Sequence, residues 1–419
     1  MMNRTQQPSI SQVKEIQFIA PEIKKLNGTI PVYLMRDMQN ETSRLDLYFD
    51  AGKNSGPKGI SSFVNGLLLS GTPNRSSVEI NGNIDDLGGF YQSGVSMENA
   101  VVSIYALREF LPEIMQGLID ALQNVHFDES ETREYLADTK QRHLQSLGKV
   151  SYLSQREFQK HLFQSNTLYA SVMELEDVEN VLRQDLIDFH QKHYLNGLQK
   201  VVIVGNFQDI VIDQMLSLLQ DFSGKNNSVK DKNIIHNKGR FHVSKDRAIQ
   251  TAVRIGRILF NKKHKDYLDF LVLNTILGDY FGSRLMSNIR EEKGYTYGIG
   301  SMVNEFQNTG YFMIGTEVKK EVSADTIKEI KYELNRLQKE LVSDEELNLV
   351  KNYLLGQLLK SADGPYAMID LYLSAEMQEK DLEHYNDAIK AVREITPKRI
   401  QELAQLYLNW EDLTIVTAG

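Results

Sequence analysis

The segment from Arg290 to Ser301 carries side chains that could stabilise negative charge in a reaction. It reads Arg-Glu-Glu-Lys-Gly-Tyr-Thr-Tyr-Gly-Ile-Gly-Ser, so the guanidinium of Arg290 and the phenol of Tyr297 lie seven residues apart. Both groups donate hydrogen bonds and could hold a developing oxyanion. This spacing alone is more typical of a turn with an exposed arginine and a half-buried tyrosine, so the rest of the chain has to decide between the two interpretations.

Two short elements must position this pair. The residues from Ser283 to Arg290 are amphipathic and predict a short helix, while Tyr295 to Gly300 alternates in the manner of a strand. Gly294 between them can adopt a positive φ and allow a tight turn. The sequence therefore predicts that Arg290 and Tyr297 lie at one helix-to-strand corner.

The composition is that of a globular protein and excludes several classes of function. A length of 419 residues suits two domains rather than one. The net charge of −9 argues against a nucleic-acid-binding protein, whose affinity would rest on a basic stripe. The absence of cysteine excludes disulfides, thiolate nucleophiles and zinc sites built from cysteine.

Neither a signal peptide nor a membrane span is evident in the sequence. Residues 1–11 are polar and lack the apolar core of a signal peptide, and no apolar run approaches the length of a membrane-spanning helix. We therefore expect a cytoplasmic protein. A start trimmed from a longer native sequence would leave a periplasmic location open.

The predicted elements occur twice in the same order. Each half has strands, a buried helix, a hairpin and then an amphipathic helix; these lie at 14–50, 60–69, 89–106 and 110–122 in the first half and at 249–259, 267–277, 295–318 and 324–341 in the second. Internal duplication is the economical explanation. It predicts an α+β fold of two similar domains, each a mostly antiparallel sheet with helices packed on one face.

The boundary between the halves is predicted from a change of composition. Residues 223–240 are rich in Ser, Gly, Asn and Lys and carry little apolar content, which is typical of a linker. We therefore expect an N-terminal domain at 1–222 and a C-terminal domain at 241–419. The C-terminal domain carries Arg290 and Tyr297.

Several strings, in this order, resemble the insulinase/pitrilysin-like zinc peptidases that have an inverted His-x-x-Glu-His motif, in particular their short two-domain bacterial branch. The matching strings are Gly59 to Thr72, Phe189 to Tyr194 followed by Val201 to Gly205, Gln250-Thr251, and the pair Arg290 and Tyr297. The resemblance covers most of the chain. It implies that residues 59–72 form the zinc-motif helix and that Arg290 and Tyr297 fall on the family's Arg/Tyr pair.

The resemblance fails at the residues that would bind zinc. The family's first zinc histidine falls on Ser62, its catalytic glutamate on Asn65 and its second histidine on Gly66, while the third ligand, a glutamate, would fall near Gln141 to His143, where no carboxylate stands. Serine is a poor ligand, glycine has no ligand, and an amide cannot accept a proton from water. No His-x-x-Glu-His or His-Glu-x-x-His occurs elsewhere, so we expect no metal and no cofactor in this chain.

One other metal site has a geometrically feasible spacing. His190 and His193 lie three residues apart on a predicted helix, with Asp185 and Asp188 nearby. The resemblance implies that this segment is instead a structural end of a helix, and we favour that interpretation.

The resemblance also implies a division of labour between two chains. In heterodimers of this family one chain holds zinc and the other contributes Arg and Tyr, so we expect a homologous zinc-bearing partner and peptide substrates. A homodimer is the alternative when the chain is alone. The glycine-rich loop of the mitochondrial non-catalytic subunit is missing between Leu277 and Arg290, which favours a bacterial-type system.

Two alternatives stay open at this point. The chain could be a binding or scaffold protein of the same fold without a peptidase partner, similar to the core-protein subunits of respiratory complexes. Arg290 and Tyr297 could also serve only to brace the corner on which they lie. The resemblance favours the role of a peptidase subunit.

Overall fold

The fold is described from a computed structural model. It describes residues 15–37, 39–163, 168–224, 234 and 236–419. Residues 225–233 and 235 of the predicted linker lie outside the described residues, as do residues 1–14.

The first half forms a six-stranded sheet with helices. Its strands are β1 (Glu22–Leu26), β2 (Ile30–Met35), β3 (Thr42–Phe49), β4 (Gly71–Thr72), β5 (Arg75–Ser76), β6 (Phe90–Val95), β7 (Ala100–Leu107) and β8 (Leu198–Val204). Its helices are α1 (Ile60–Gly66), α2 (Ser77–Asp86), α3 (Leu111–Gln123), α4 (Glu129–Leu147), α5 (Val150–Phe163), α6 (Leu175–Glu179), α7 (Arg183–His190) and α8 (Asp209–Ser217). The strands pair in the order β1-β2-β8-β3-β7-β6, while β4 and β5 form a separate two-stranded ribbon.

The second half forms a five-stranded sheet with helices. Its strands are β9 (Gly239–Val243), β10 (Gln250–Leu259), β11 (Ile299–Glu305), β12 (Gly310–Lys319) and β13 (Thr414–Ala418). Its helices are α9 (Tyr267–Leu277), α10 (Ser323–Lys339), α11 (Asp344–Ser361), α12 (Gly364–Glu376), α13 (Glu383–Glu394) and α14 (Pro397–Tyr407). The strands pair in the order β11-β12-β10-β13-β9.

Local sequence explains most of these elements. On β7, Val102, Ile104 and Ala106 alternate with less buried residues and enter the core of the first half. Helix α2 begins with a capping box, in which the Ser76 hydroxyl accepts from the Glu79 amide and the Glu79 carboxylate accepts from the Ser76 amide. Burial of one face of each element and satisfied helix ends together select these boundaries.

The two sheets confirm the predicted duplication and the α+β fold. The order β2-β8-β3-β7-β6 matches β9-β13-β10-β12-β11, strand for strand. In each sheet one pair is parallel, β2 with β8 and β9 with β13, and the other pairs are antiparallel. One apolar core lies between each sheet and the helices on its inner face.

The outer face of each sheet carries one helix from the other half, an exchange that the sequence did not reveal. Phe158 and Leu162 of α5 pack with Val416 of β13. In return, Ile369 and Leu373 of α12 pack against the outer face of β2 and β8. In each half, the helix that crosses to the other sheet is the third helix after the hairpin. The two halves therefore exchange equivalent helices.

Two predicted boundaries are wrong, and one helix was missed. The predicted zinc-motif helix at 59–72 ends at Gly66, because the Leu67 amide already bonds to the carbonyls of both Phe63 and Val64, and residues 71–72 form β4 instead. The strand predicted from Tyr295 begins only at Ile299. Helix α13 was not predicted at all.

The predicted domain limits stay a prediction. Strand β9 begins at Gly239, inside the predicted linker at 223–240. Among the described residues, no helix combines the length and apolar character that crossing a membrane requires.

Candidate functional site

Helix α1 carries the three positions that correspond to the zinc motif. Ser62 is partly buried, Asn65 is buried and Gly66 is exposed. The Asn65 amide donates to the hydroxyl of Tyr194 at 3.1 Å, and burial raises the pKa of that hydroxyl. Asn65 therefore has a structural hydrogen bond where the family's catalytic glutamate would stand.

Tyr135 of α4 fills the space beside this motif. A Cβ atom added to Gly66 would overlap the Tyr135 phenol, and the Tyr135 hydroxyl donates to the Ser62 carbonyl at 3.2 Å. The expected place of the third ligand, near Gln141 to His143, stays a prediction. Tyr135 makes the contact with Gly66, about two helical turns earlier on α4.

His143 lies in a neighbouring cavity of about 410 Å³ that Ser62 also lines. Its Nδ1 atom lies 3.3 Å from the Tyr152 hydroxyl, and its Nε2 atom is buried without a partner among the described residues. Burial, with a contribution from Arg156, lowers the pKa of His143 and favours the neutral ring. His143 therefore offers a single nitrogen ligand, and no cluster of metal ligands includes it among the described residues.

These groups do not fit a zinc ion. The motif positions offer one hydroxyl, one amide that already donates to Tyr194, and a glycine whose side-chain space Tyr135 occupies. No cluster of three His, Cys, Asp or Glu residues suited to a metal occurs within the described residues. Zinc binding normally requires three or four such ligands.

The two histidines considered as an alternative site have structural partners. His190 Nε2 lies 2.8 Å from the Leu122 carbonyl, and His193 Nδ1 lies 2.6 Å from the Asp50 carbonyl. Burial lowers the pKa of His190 to about 4. Both rings join the end of α7 to neighbouring backbone, which agrees with the interpretation as a structural helix end.

Arg290 lies on a π-helical segment, Met286–Glu292, that follows α9. Its guanidinium stacks over the ring of Phe281 at 4.7 Å. Phe281 is exposed, whereas Arg290 is half-buried. Arg290 has no hydrogen bond or ion pair to any residue that the structure describes, which leaves its five N–H donors available.

Tyr297 lies in the turn between this segment and β11, and its side chain is 96% exposed. Thr296 explains why the strand starts late. Its hydroxyl donates to the Glu317 carbonyl at 2.8 Å and accepts from the Gly298 amide at 3.1 Å. Hydrogen bonds of this side chain thus take the place of main-chain hydrogen bonds between the strands. Within the described residues, the Tyr297 hydroxyl has no hydrogen-bond partner.

Comparison with known proteins identifies the family. Residues 31–175 match the family described as Insulinase (Peptidase family M16), and residues 180–354 match the Peptidase M16 inactive domain. The chain belongs to the M16 peptidase family. The predicted recognition and fold class are thereby confirmed.

Relatives of this M16 chain are bacterial. A protein named "Uncharacterized zinc protease" from Rickettsia felis is 24% identical over 319 residues, covering 74% of this chain and 76% of the relative. "Uncharacterized zinc protease YmxG" from Bacillus subtilis is 21% identical over 368 residues, covering 86% and 88%.

Two solved structures share the fold. A peptidase M16 inactive domain from Pseudomonas fluorescens has a TM-score of 0.83 at 22% identity and covers 96% of this chain and 98% of its own. A protease from Helicobacter pylori has a TM-score of 0.83 at 16% identity and covers 95% and 100%. At these identities the likeness shows the fold alone.

Sequence reasoning missed Tyr135 and Phe281 as neighbours of the site. Tyr135 was missed because the third ligand was sought by counting along the family's spacing. Phe281 lies in the segment noted only for lacking a glycine-rich loop. An aromatic residue close in sequence to Arg290 was the feature that could have identified it.

Proposed function

We propose that this M16 chain is a non-catalytic subunit that pairs with a zinc-bearing homologous chain to form a peptidase for peptides or unfolded segments. The observation that carries the proposal is the contrast within one molecule between a motif without ligands and an Arg/Tyr pair whose donors are not used. Tyr135 fills the space at Gly66, whereas the half-buried Arg290 and the exposed Tyr297 make no side-chain hydrogen bond to any residue that the structure describes.

The chemistry of the pair suits transition-state stabilisation in a partner's site. A tyrosine hydroxyl and an arginine guanidinium can donate to the oxyanion that develops on a scissile carbonyl. Any zinc of the assembly is expected in the partner, since the motif positions of this chain do not fit the ion and the described residues hold no cluster of metal ligands. Arg290 and Tyr297 would then act only where another chain supplies the reacting groups.

Peptide binding is supported by a free sheet edge beside the former motif. Strand β6 ends the six-stranded sheet, so its outer backbone groups have no neighbouring strand within the described residues. Tyr91 and Ser93 of β6 line one cavity together with Asn65 and Gly66. An extended peptide can pair with such an edge through main-chain hydrogen bonds, with little demand on sequence.

The first experiment is an affinity purification of this chain from a lysate of its source organism, with mass spectrometry of the bound proteins. The proposal expects a near-stoichiometric homologue that contains His-x-x-Glu-His. If no such homologue binds under conditions that preserve weak complexes, the proposal is wrong and the scaffold alternative takes its place.

The second experiment measures peptide hydrolysis by the assembled pair. Tyr297→Phe should lower kcat by about 10²- to 10³-fold, the usual effect of losing one oxyanion donor, with assembly unchanged. Tyr332→Phe is the matched control, because Tyr332 is also an exposed tyrosine of the second half. Turnover that is unchanged by Tyr297→Phe would refute the assigned role.

A further inference from the structure

A groove of about 620 Å³ runs along the outer face of the second sheet, beyond the part that α5 covers. Arg254 of β10, Met302 of β11 and Met313 of β12 lie on this face, and Tyr297 stands at its rim. The volume is that of an ordinary binding site for a small molecule or a peptide segment. Most of its lining is neutral or apolar.

Arg254 is the basic residue of the groove lining, and Glu317 is the acidic one. Its side chain lies along the backbone of Gly315, where an added Cβ would stand 3.4 Å from Nη1. Nη1 donates to the carbonyls of Val253 and Thr316, and Nε is buried without a partner in the described part of the chain. Burial lowers the pKa of Arg254, and the nearby Glu317 only partly opposes this effect.

The duplication provides an internal comparison for this charge. Arg44 of β3 lies opposite Val204, the last residue of the paired strand β8. In the same way, Ala252 of β10 lies opposite Ala418, the last residue of the paired strand β13. Two residues further along, Asp46 in the first half and Arg254 in the second half occupy the same position on the outer face.

The equivalent charge in the first half is compensated. Asp46 forms an ion pair with Arg44 at 2.7 Å. Alanine stands at the equivalent of Arg44 in the second half, and Arg254 has no ion pair with any described residue. Glu317 lines the same groove but offsets the burial of Arg254 only in part. A half-buried cation that is not ion-paired is costly, and a carboxylate from a ligand would offset that cost.

The groove adjoins a second region that favours anions. Gln155 of α5 lines both this groove and the cavity of about 410 Å³ beside Ser62. Lys53, Arg142 and Arg156 line that cavity. Arg142 pairs with Asp138 and Arg156 pairs with Glu174, whereas Lys53 has no ion pair with any described residue.

We propose that the groove of Arg254 binds the carboxylate of a peptide, either an acidic side chain or the free C-terminus, with the peptide extended past Gln155 toward Lys53. The guanidinium donates to the carboxylate, while Met302 and Met313 contact the neighbouring apolar side chains. This site goes beyond the proposed subunit function, because it belongs to the isolated chain and needs no partner.

The test is fluorescence anisotropy of the isolated chain with short labelled peptides. One peptide alternates Glu with Val and has an amidated C-terminus, and a second replaces each Glu by Lys. A third replaces each Glu by Gln and keeps a free C-terminus, which separates the two sources of carboxylate. The proposal expects at least one carboxylate-bearing peptide to bind at least about tenfold more tightly than the Lys peptide, as one charge-assisted contact predicts.

Variants decide whether Arg254 is responsible. Arg254→Gln should weaken binding of the carboxylate-bearing peptide by about tenfold or more, and Arg254→Lys should retain part of it. Arg257→Gln is the matched control, since Arg257 is a half-buried arginine of the same strand on the other face, with its Nη1 on the Tyr407 carbonyl at 3.1 Å. This control should bind as the wild type does.

A further variant guards against misfolding of the arginine mutants. Met302 is 44% exposed, so Met302→Glu places a carboxylate in the groove without disturbing the core, and it should also weaken binding. The proposal is overturned if no carboxylate-bearing peptide binds, if the Lys peptide binds equally well, or if Arg254→Gln and Met302→Glu bind as the wild type does. Equal loss in Arg257→Gln would also overturn it.

Discussion

Replacement of Arg44 by methionine should destabilise the fold strongly, because Asp46 would lose its buried counter-charge. Arg44 is 5% exposed and Asp46 is 2% exposed on β3. The guanidinium also pairs with Asp370 of α12, whose side chain is 56% exposed. Removing one partner of a buried pair typically costs about 3–5 kcal/mol, whereas an exposed pair contributes about 0–1 kcal/mol.

Urea unfolding followed by circular dichroism measures this effect. We expect Arg44→Met to lower the free energy of unfolding by about 3–5 kcal/mol at pH 7. Asp370→Asn, the matched control at the exposed partner, should cost about 1 kcal/mol or less. The double variant Arg44→Met/Asp46→Leu should recover most of the loss, since no buried charge then remains unpaired.

The loss should also depend on pH. Burial raises the pKa of Asp46, Arg44 opposes this rise, and without Arg44 the pKa of Asp46 rises further. The folded variant then binds a proton more readily than the unfolded chain, so its stability falls as pH rises from the unfolded value of about 3.9 through the raised folded value. Arg44→Met should therefore be less damaging at low pH than at pH 7. A loss equal to that of Asp370→Asn, or no recovery in the double variant, would refute this reasoning.

Two further predictions concern α1 and α7. In urea unfolding, Gly66→Ala should lower the free energy of unfolding by about 1–3 kcal/mol because the added Cβ displaces Tyr135. Gly82→Ala on α2 is the control, since an added Cβ meets nothing within 4 Å there, and it should raise the free energy of unfolding by about 0.4–1 kcal/mol. Equal effects of the two variants would contradict the overlap with Tyr135. Because the pKa of His190 is lowered to about 4, its contribution is present above the unfolded value of about 6.5 and is lost as pH falls toward 4, by about 3 kcal/mol. His190→Gln, which can still donate to the Leu122 carbonyl, should reduce that pH dependence, and an unchanged pH profile would contradict the assignment.

The sequence was sufficient for the fold class because periodicity and order repeat in the two halves. Helix α9 was predicted with its observed bounds, Tyr267–Leu277, because most of its residues are apolar. Helix α13 was missed, although Tyr385, Ile389 and Val392 recur at helical spacing and bury one face. The exchange of α5 and α12 depends on which sheet receives each helix, and local patterns do not encode that choice.

The candidate site could be predicted only where its residues are neighbours in the sequence. Ser62, Asn65 and Gly66 were found from a string of residues, and they do lie together on α1. The contact of Tyr135 with Gly66 joins residues 69 positions apart and depends on how α4 crosses α1. Arg254 was missed for a similar reason, because its burial without an ion pair to any described residue depends on how the strands of the outer face assemble.

The reciprocal exchange of α5 and α12 bears on how such a molecule can be divided. The outer apolar face of each sheet is covered only when the other half is present. Cutting the chain between the two halves would therefore not give two units that fold independently. Half-chains expressed apart would each expose this face, yet when mixed they could re-form the native pair by complementation. The duplicated gene thus corresponds to a helix-swapped dimer of half-length chains made permanent by a single covalent join.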